Sequence, residues 1–193
     1  MWIKLIQLIL FLIMSLDLVW KHTLQSHNEI KESILGFIDQ YEQIEGCPDK
    51  ITKTDFFDPN KRGEYIGIFT NNHGAEYLRK SICEKYWVTN FSISSFWFQQ
   101  YYVGDSHGWH LHGNSTISMS YFLELDDQKH STEFVDIEKK KTFQLNVSEG
   151  DVIIFPSHII HRSPIIKSDS RKTTIAINLN LSEINIPWID SIS

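Results

Sequence analysis

Cysteine is scarce in this chain: Cys47 and Cys83 are the only two in 193 residues, and they form no CxxC or comparable spacing. That argues against a disulfide-stapled scaffold and a cysteine-based zinc site, and it fits a reducing compartment. Basic charge is also in short supply. Eighteen Lys and Arg stand against 24 Asp and Glu, a formal net charge of -6, whereas broad phosphate-binding surfaces need clustered cations. The longest basic run, Lys139-Lys140-Lys141, reads as a solvated hairpin tip, so there is no strong nucleic-acid signature. The longest apolar run, residues 8–16, is too short to span a bilayer comfortably, and no membrane partner is expected. Internal repeats and low-complexity tracts are absent from the sequence.

That apolar run, LILFLIMSL, follows Lys4 and has the charged and apolar parts of a signal peptide. Asp17 comes soon after it, no small-x-small cleavage site follows, and Gln7 interrupts it on its N-terminal side. Met14 begins a segment that looks like the start of a cytosolic protein. Residues 1–13 are therefore expected to be an upstream extension or signal-like segment. Residues 14–193 are expected to form one domain, with helical support over about 26–90 and a β core over about 93–182. A cytoplasmic location is expected, with secretion or anchoring through the N-terminal run as the alternative.

With 41% hydrophobic and 13% aromatic residues, the chain can bury one sizeable core. Ser26 and Glu29 have capping-box spacing. Ile30, Ile34, Leu35, Phe37, Ile38 and Tyr41 follow at helical intervals, with Gly46 beyond, so an amphipathic helix is expected. Residues 47–72 read as loop with a short strand over 65–69, and residues 75–85 as a second helix. From about residue 93, β-branched and aromatic residues dominate between turn-forming residues. Strands are expected over 96–103, 108–112, 115–125, 132–136, 141–147, 151–155 and 173–181. This is a mainly β fold with flanking helices, a sandwich or barrel-like arrangement.

The chemistry concentrates in histidine. His110 and His112 are two apart, which on a strand puts both imidazoles on one face. Residues 151–161, DVIIFPSHIIH, run as an apolar strand into Pro156 and end on His161. Imidazole suits iron, zinc, copper and nickel alike, so ligand type alone does not choose the metal. Ten residues past His161 stands Arg171, followed by Thr173, with Ile175 and Ile177 continuing the same parity. An arginine directed into a β core is costly unless an anion meets it, and a planar carboxylate held bidentately fits best. The Thr173 hydroxyl would add a hydrogen bond.

Four ordered motifs carry a resemblance: YYVGDSHGWHLH at 101–112, SMSYFL at 118–123, GDVIIFPS at 150–157 with His161-Arg162-Ser163, and Arg171-Lys172-Thr173. Over roughly residues 90–182 the chain resembles the 2-oxoglutarate/Fe(II)-dependent oxygenases common in marine bacteria and their phages, relatives of the prolyl 4-hydroxylases. The resemblance implies a double-stranded β-helix, jelly-roll or cupin-like, that uses Fe(II), 2-oxoglutarate as a small-molecule cosubstrate, and O2. It implies His110, His112 and His161 as metal ligands and catalytic centre, Arg171 and Thr173 as the cosubstrate anchor, and Tyr101 near the cosubstrate. His161 is preferred to His158 because its spacing to Arg171 matches the family and because His158 directly follows the Pro156 turn.

The usual facial triad of non-haem iron oxygenases is two histidines and a carboxylate, and His112 stands where the carboxylate normally is. A neutral imidazole there leaves one more positive charge at the iron, favouring Fe(II) and a dianionic cosubstrate. Asp105, Glu133 and Asp136 are the carboxylates that could join instead. His22, His27, His73 and His130 read as structural or exposed, His107 as a residue beside the metal site or an exposed loop histidine, and Trp109 as packing. The expected activity is a hydroxylase that couples 2-oxoglutarate decarboxylation to oxidation of a protein side chain or small metabolite. The alternative is a cupin-type three-histidine metalloprotein that does not use 2-oxoglutarate. A metal-free structural β-barrel is a third reading.

Overall fold

Ten strands form two antiparallel sheets in the computed structural model, which describes residues 18–43, 47, 49–58, 60–169 and 171–191. The signal-like or extension segment, the Met14 start and Gly46 lie outside the described residues. The strands are β1 (Trp20–Thr23), β2 (Lys53–Thr54), β3 (Val88–Tyr101), β4 (His107–His110), β5 (Ile117–Glu124), β6 (Glu133–Asp136), β7 (Lys141–Gln144), β8 (Asp151–Pro156), β9 (His161–Ser163) and β10 (Lys172–Ile184). The major sheet runs β1-β8-β5-β10-β3-β2 and the minor sheet β4-β9-β6-β7. The helices are α1 (His27–Ile38), α2 (Ile66–Thr70), α3 (His73–Tyr86) and α4 (Ile186–Asp190). No helix among the described residues is long and apolar enough to cross a membrane.

Both faces of the major sheet are covered, and each strand divides its side chains between them. Ile175, Ile177 and Leu179 of β10 join Phe96, Phe98, Tyr121, Val152 and Ile154 against Ile30, Ile34 and Ile38 of α1 and Leu78 and Ile82 of α3. The opposite face looks across at the minor sheet, where Phe122, Ile153 and Phe155 pack on Phe134. A sheet buried on both sides loses the simple alternation of apolar and polar residues, which is why β8 is buried at every position.

Three local expectations change. Residues 65–69 form a helical turn rather than a strand, because Tyr65 and Phe69, four apart, both reach the core on one side of α2. The Ser26–Glu29 capping box does not form. The Ser26 hydroxyl instead donates to Asn72 Oδ1, which also accepts from Ala75 N at 2.9 Å and so caps α3. The short strands β1 and β9 were not anticipated. β1 pairs with β8, and β9 carries His161 into register with His110.

Candidate metal centre

β4 is an edge strand whose pairing with β9 sets His110 opposite His161. His112 lies two residues beyond β4, where its backbone N–H donates to Ser157 O at 2.9 Å. The three rings therefore converge from two strands and a turn. Ring centroids are 4.2 Å apart for His110 and His161, 5.1 Å for His110 and His112, and 5.2 Å for His112 and His161. One ring nitrogen from each lies within 4.8 Å of the others, a spacing that a single ion can bridge. His110 Nδ1 lies 2.8 Å from Gly108 O and His161 Nδ1 2.9 Å from Ile159 O. A carbonyl can only accept, so both rings carry the proton on Nδ1 and keep the Nε2 lone pair free.

Electrostatics favour the neutral imidazoles that metal binding needs. Burial, then the neighbouring His110, lowers His112 to about 4 and His161 to about 3. Burial likewise lowers His110. His107 stacks on His110 with centroids 4.0 Å apart, its Nδ1 is 3.1 Å from Gln99 Nε2, and its Nε2 faces Asp49 Oδ2 at 3.7 Å. It is lowered to about 4, by burial first and His110 next. His107 thus sits beside the triad without joining it.

None of the carboxylates considered as a fourth ligand joins the triad. Asp105 Oδ2 accepts from Tyr102 N and Thr52 N, Glu133 accepts from Arg162 Nε at 2.6 Å, and Asp136 accepts from Lys139 N. Among the described residues, the candidate metal-holding cluster contains histidines alone. His158 is exposed and lines a different cavity, with Ile159 and Phe143. Trp109 faces away from the triad, under the Arg162 guanidinium at 4.4 Å.

Arg171 and Thr173, the expected anion anchor, lie outside the histidine cavity. Arg171 Nε and Nη2 donate to Glu124 Oε2 and Oε1 at 2.9 and 2.6 Å, and Nη1 reaches Asp39 Oδ1 beyond the end of α1 at 3.4 Å. Thr173 is also turned away, donating to Glu124 and accepting from Gln100 Nε2. Their parity is that of Ile175 and Ile177, which point at the helices. The other parity, Lys172, Thr174, Ala176 and Asn178, lines the cavity with the three histidines.

Lys172 is the residue that the sequence reading missed. It is buried, its Nζ donates to Ser163 Oγ at 2.7 Å and lies 4.8 Å from the Tyr101 ring centroid, and burial lowers it to about 7. It has no carboxylate partner among the described residues. Such a cation is costly until an anion arrives. Tyr101 lines the same cavity, and burial keeps its phenol protonated and therefore able to donate. The available signal was chemical: the small and polar parity of β10 marks the site, while the apolar parity marks the helix-packed core.

The cavity thus pairs neutral imidazoles for a cation with a lone buried ammonium for an acid, which fits Fe(II) and a dicarboxylate together. Comparison with known proteins agrees. Residues 95–178 match the family model described as "Putative 2OG-Fe(II) oxygenase". No curated protein matches the chain in sequence. Among solved structures, the viral collagen prolyl hydroxylase of Paramecium Bursaria Chlorella virus-1 superposes with a TM-score of 0.58 at 14% identity, covering 84% of this chain and 95% of that one. A Pseudomonas putida prolyl-4-hydroxylase gives 0.58 at 13%, covering 84% and 92%. A 2OG-Fe(II) oxygenase family oxidoreductase from Burkholderia pseudomallei gives 0.62 at 9%, covering 84% of each. These likenesses establish the double-stranded β-helix. The matched stretch holds all three triad histidines and Lys172, so the part of the chain that resembles the 2-oxoglutarate/Fe(II) oxygenases, enzymes that work with Fe(II), 2-oxoglutarate and O2, is the part that forms the cavity.

Proposed function

We propose that this protein is a hydroxylase in which His110, His112 and His161 hold Fe(II) and Lys172 binds the far carboxylate of 2-oxoglutarate. The observation that carries this reading is one cavity lined by three mutually close imidazoles and by a buried ammonium with no acidic partner among the described residues. When bound, iron with 2-oxoglutarate and O2 supplies the oxidising power, and the cosubstrate leaves as succinate and CO2 while the substrate gains oxygen.

The chain's own residues bind, orient and exclude water. Lys172 supplies a charge-assisted hydrogen bond to a carboxylate, and on binding the anion its Nζ takes up a proton wherever the medium has left it neutral. Ser163 holds that Nζ in place, while the phenol of Tyr101 packs beneath it. Phe155, 4.6 Å from the His161 ring, closes the apolar side of the triad. With no carboxylate in the ligand set, the centre keeps an extra positive charge that favours an incoming dianion. A three-histidine cupin that made no use of 2-oxoglutarate would leave Lys172 buried for no gain. The substrate is a protein side chain or a small metabolite.

Titration of 2-oxoglutarate into oxygen-free, Fe(II)-loaded protein tests the proposal. Saturable growth of a visible metal-to-ligand charge-transfer band is expected in the wild type, none in H161A, and much weaker binding in K172A. No band in the wild type, or wild-type affinity in K172A, overturns the assignment concerned.

A further inference from the structure

Of the three triad rings, His112 alone lacks a backbone carbonyl on Nδ1. Its Nδ1 faces the side-chain amide of Asn178 on β10, with Nδ2 at 3.4 Å. Asn178 is buried, and its Oδ1 accepts from Ser118 Oγ of β5 at 2.8 Å. Ser118 Oγ is 2.8 Å from Ser157 Oγ, which is 2.8 Å from Ser115 Oγ. Because the one Ser118 proton goes to Asn178, Ser157 donates to Ser118 and Ser115 donates to Ser157. The backbone carbonyl of the same Ser157 holds the His112 N–H. A chain of four polar side chains thus ends on the one imidazole that replaces the usual carboxylate.

The direction of that chain decides which nitrogen His112 can offer. With the amide nitrogen facing it, Nδ1 must accept, so the proton of the neutral ring sits on Nε2 and blocks that atom as a ligand. A half-turn of the carboxamide exchanges its oxygen and nitrogen with little change of shape. The oxygen then accepts from Nδ1–H, Nε2 is left with a free lone pair, and the amide nitrogen donates to Ser118 Oγ. Ser118 and Ser157 absorb the reversal by each donating one step further along, toward Ser115. No proton leaves the chain, and at its half-buried end the Ser115 hydroxyl accepts from Ser157 and turns its own proton toward solvent.

We propose that Asn178 is the positioning residue for His112, turning its carboxamide oxygen toward Nδ1 when metal binds and so selecting the tautomer in which Nε2 coordinates. This inference rests on the three-histidine metal centre proposed above. It assigns to Asn178 the role that the carbonyls of Gly108 and Ile159 play for the other two rings.

Co(II) titration of the metal-free protein, followed by its visible absorption and by equilibrium dialysis, tests it. N178A is expected to bind Co(II) about 10- to 100-fold more weakly, the usual scale for losing a partner of a ligating imidazole. N178D, which keeps an acceptor, is expected to recover most of that loss. Thermal unfolding of the metal-free variants separates this from a folding defect, and N178D carries the test if N178A does not fold. Nitrogen-15 spectra of the wild type supply a readout that needs no variant: the His112 proton is expected on Nε2 without metal and on Nδ1 with Zn(II). Wild-type affinity in N178A, N178D no tighter than N178A, or an unchanged tautomer overturns the role of Asn178. Equal Co(II) binding by wild type and H110A would instead remove the metal centre itself, a separate and visible failure.

Discussion

Arg171 and Lys172 are adjacent in sequence and serve opposite faces of the major sheet. The Arg171 guanidinium clasps Glu124 through two hydrogen bonds on the helix side, and the Lys172 ammonium lies buried over the Tyr101 ring in the histidine cavity. The two cations therefore do different work. R171A is expected to lower stability by about 2 kcal/mol, the scale of hydrogen bonds to charged groups, because it leaves the Glu124 carboxylate with the Thr173 hydroxyl but without its cation. Denaturant unfolding reads that loss, and 2-oxoglutarate affinity should be unchanged. A large loss of 2-oxoglutarate affinity in R171A would restore the arginine to the anchor role.

With Lys172 as the proposed carboxylate partner, cosubstrate binding should depend on pH. Its folded value is lowered to about 7 by burial, against an ordinary lysine value of 10.5. Above pH 7 the free site loses its positive charge, so 2-oxoglutarate affinity should fall as pH rises from 7 toward 9. K172R, whose guanidinium stays protonated, should flatten that slope. Between pH 7 and 10.5 the unfolded chain holds more protons than the ligand-free fold, so raising pH across this window stabilises the fold. Saturating 2-oxoglutarate, which returns the proton to Lys172, should flatten that trend. Isothermal titration across pH, with thermal unfolding alongside, measures both effects, and a pH-independent affinity in the wild type would count against Lys172.

Two-residue periodicity explains how much of this site was legible in the sequence. His110, His112 and His161 stand out because imidazoles that close in sequence, followed by one on a later strand, have few other uses in a β core. The same periodicity shows that β10 has two faces but not which of them looks into the cavity. Ile175 and Ile177 are buried as deeply as any residue facing the minor sheet, so the apolar parity pointed to the core under the helices, and Arg171 and Thr173 went with it. Asn178 was similarly hidden, since its meaning comes from Ser118 and Ser157, 60 and 21 positions earlier in the sequence. At 65–69, a five-residue apolar run is too short for its period to separate strand from helix.

The join between α1 and α3 offers a test of the helical support that is independent of the metal. A Cβ at Gly74 would lie 2.3 Å from Ser26 Oγ and 2.9 Å from Ser26 N. The first contact could be relieved by a hydroxyl rotation at the expense of its bond to Asn72, but the second is with backbone. G74A is expected to cost about 1–3 kcal/mol, the range for forced overpacking, despite the better helix propensity of alanine. Unchanged denaturant stability in G74A would mean the two helix N-termini are not packed this closely.

Restoring a carboxylate at position 112 asks what the third imidazole contributes. H112D would give the two-histidine, one-carboxylate set of the usual facial triad and should still bind Fe(II). Its added negative charge opposes a dianion beside the metal, so 2-oxoglutarate should bind on the order of tenfold more weakly, a modest effect for one charge at such range in a partly screened site. The Asn178 amide would face a shorter side chain and lose its imidazole partner, so N178A should no longer weaken metal binding in the H112D background. A double-mutant cycle on Co(II) affinity measures this directly. Additive losses would mean that Asn178 acts on the metal by some route other than His112, whereas a vanishing second loss places both residues on one path.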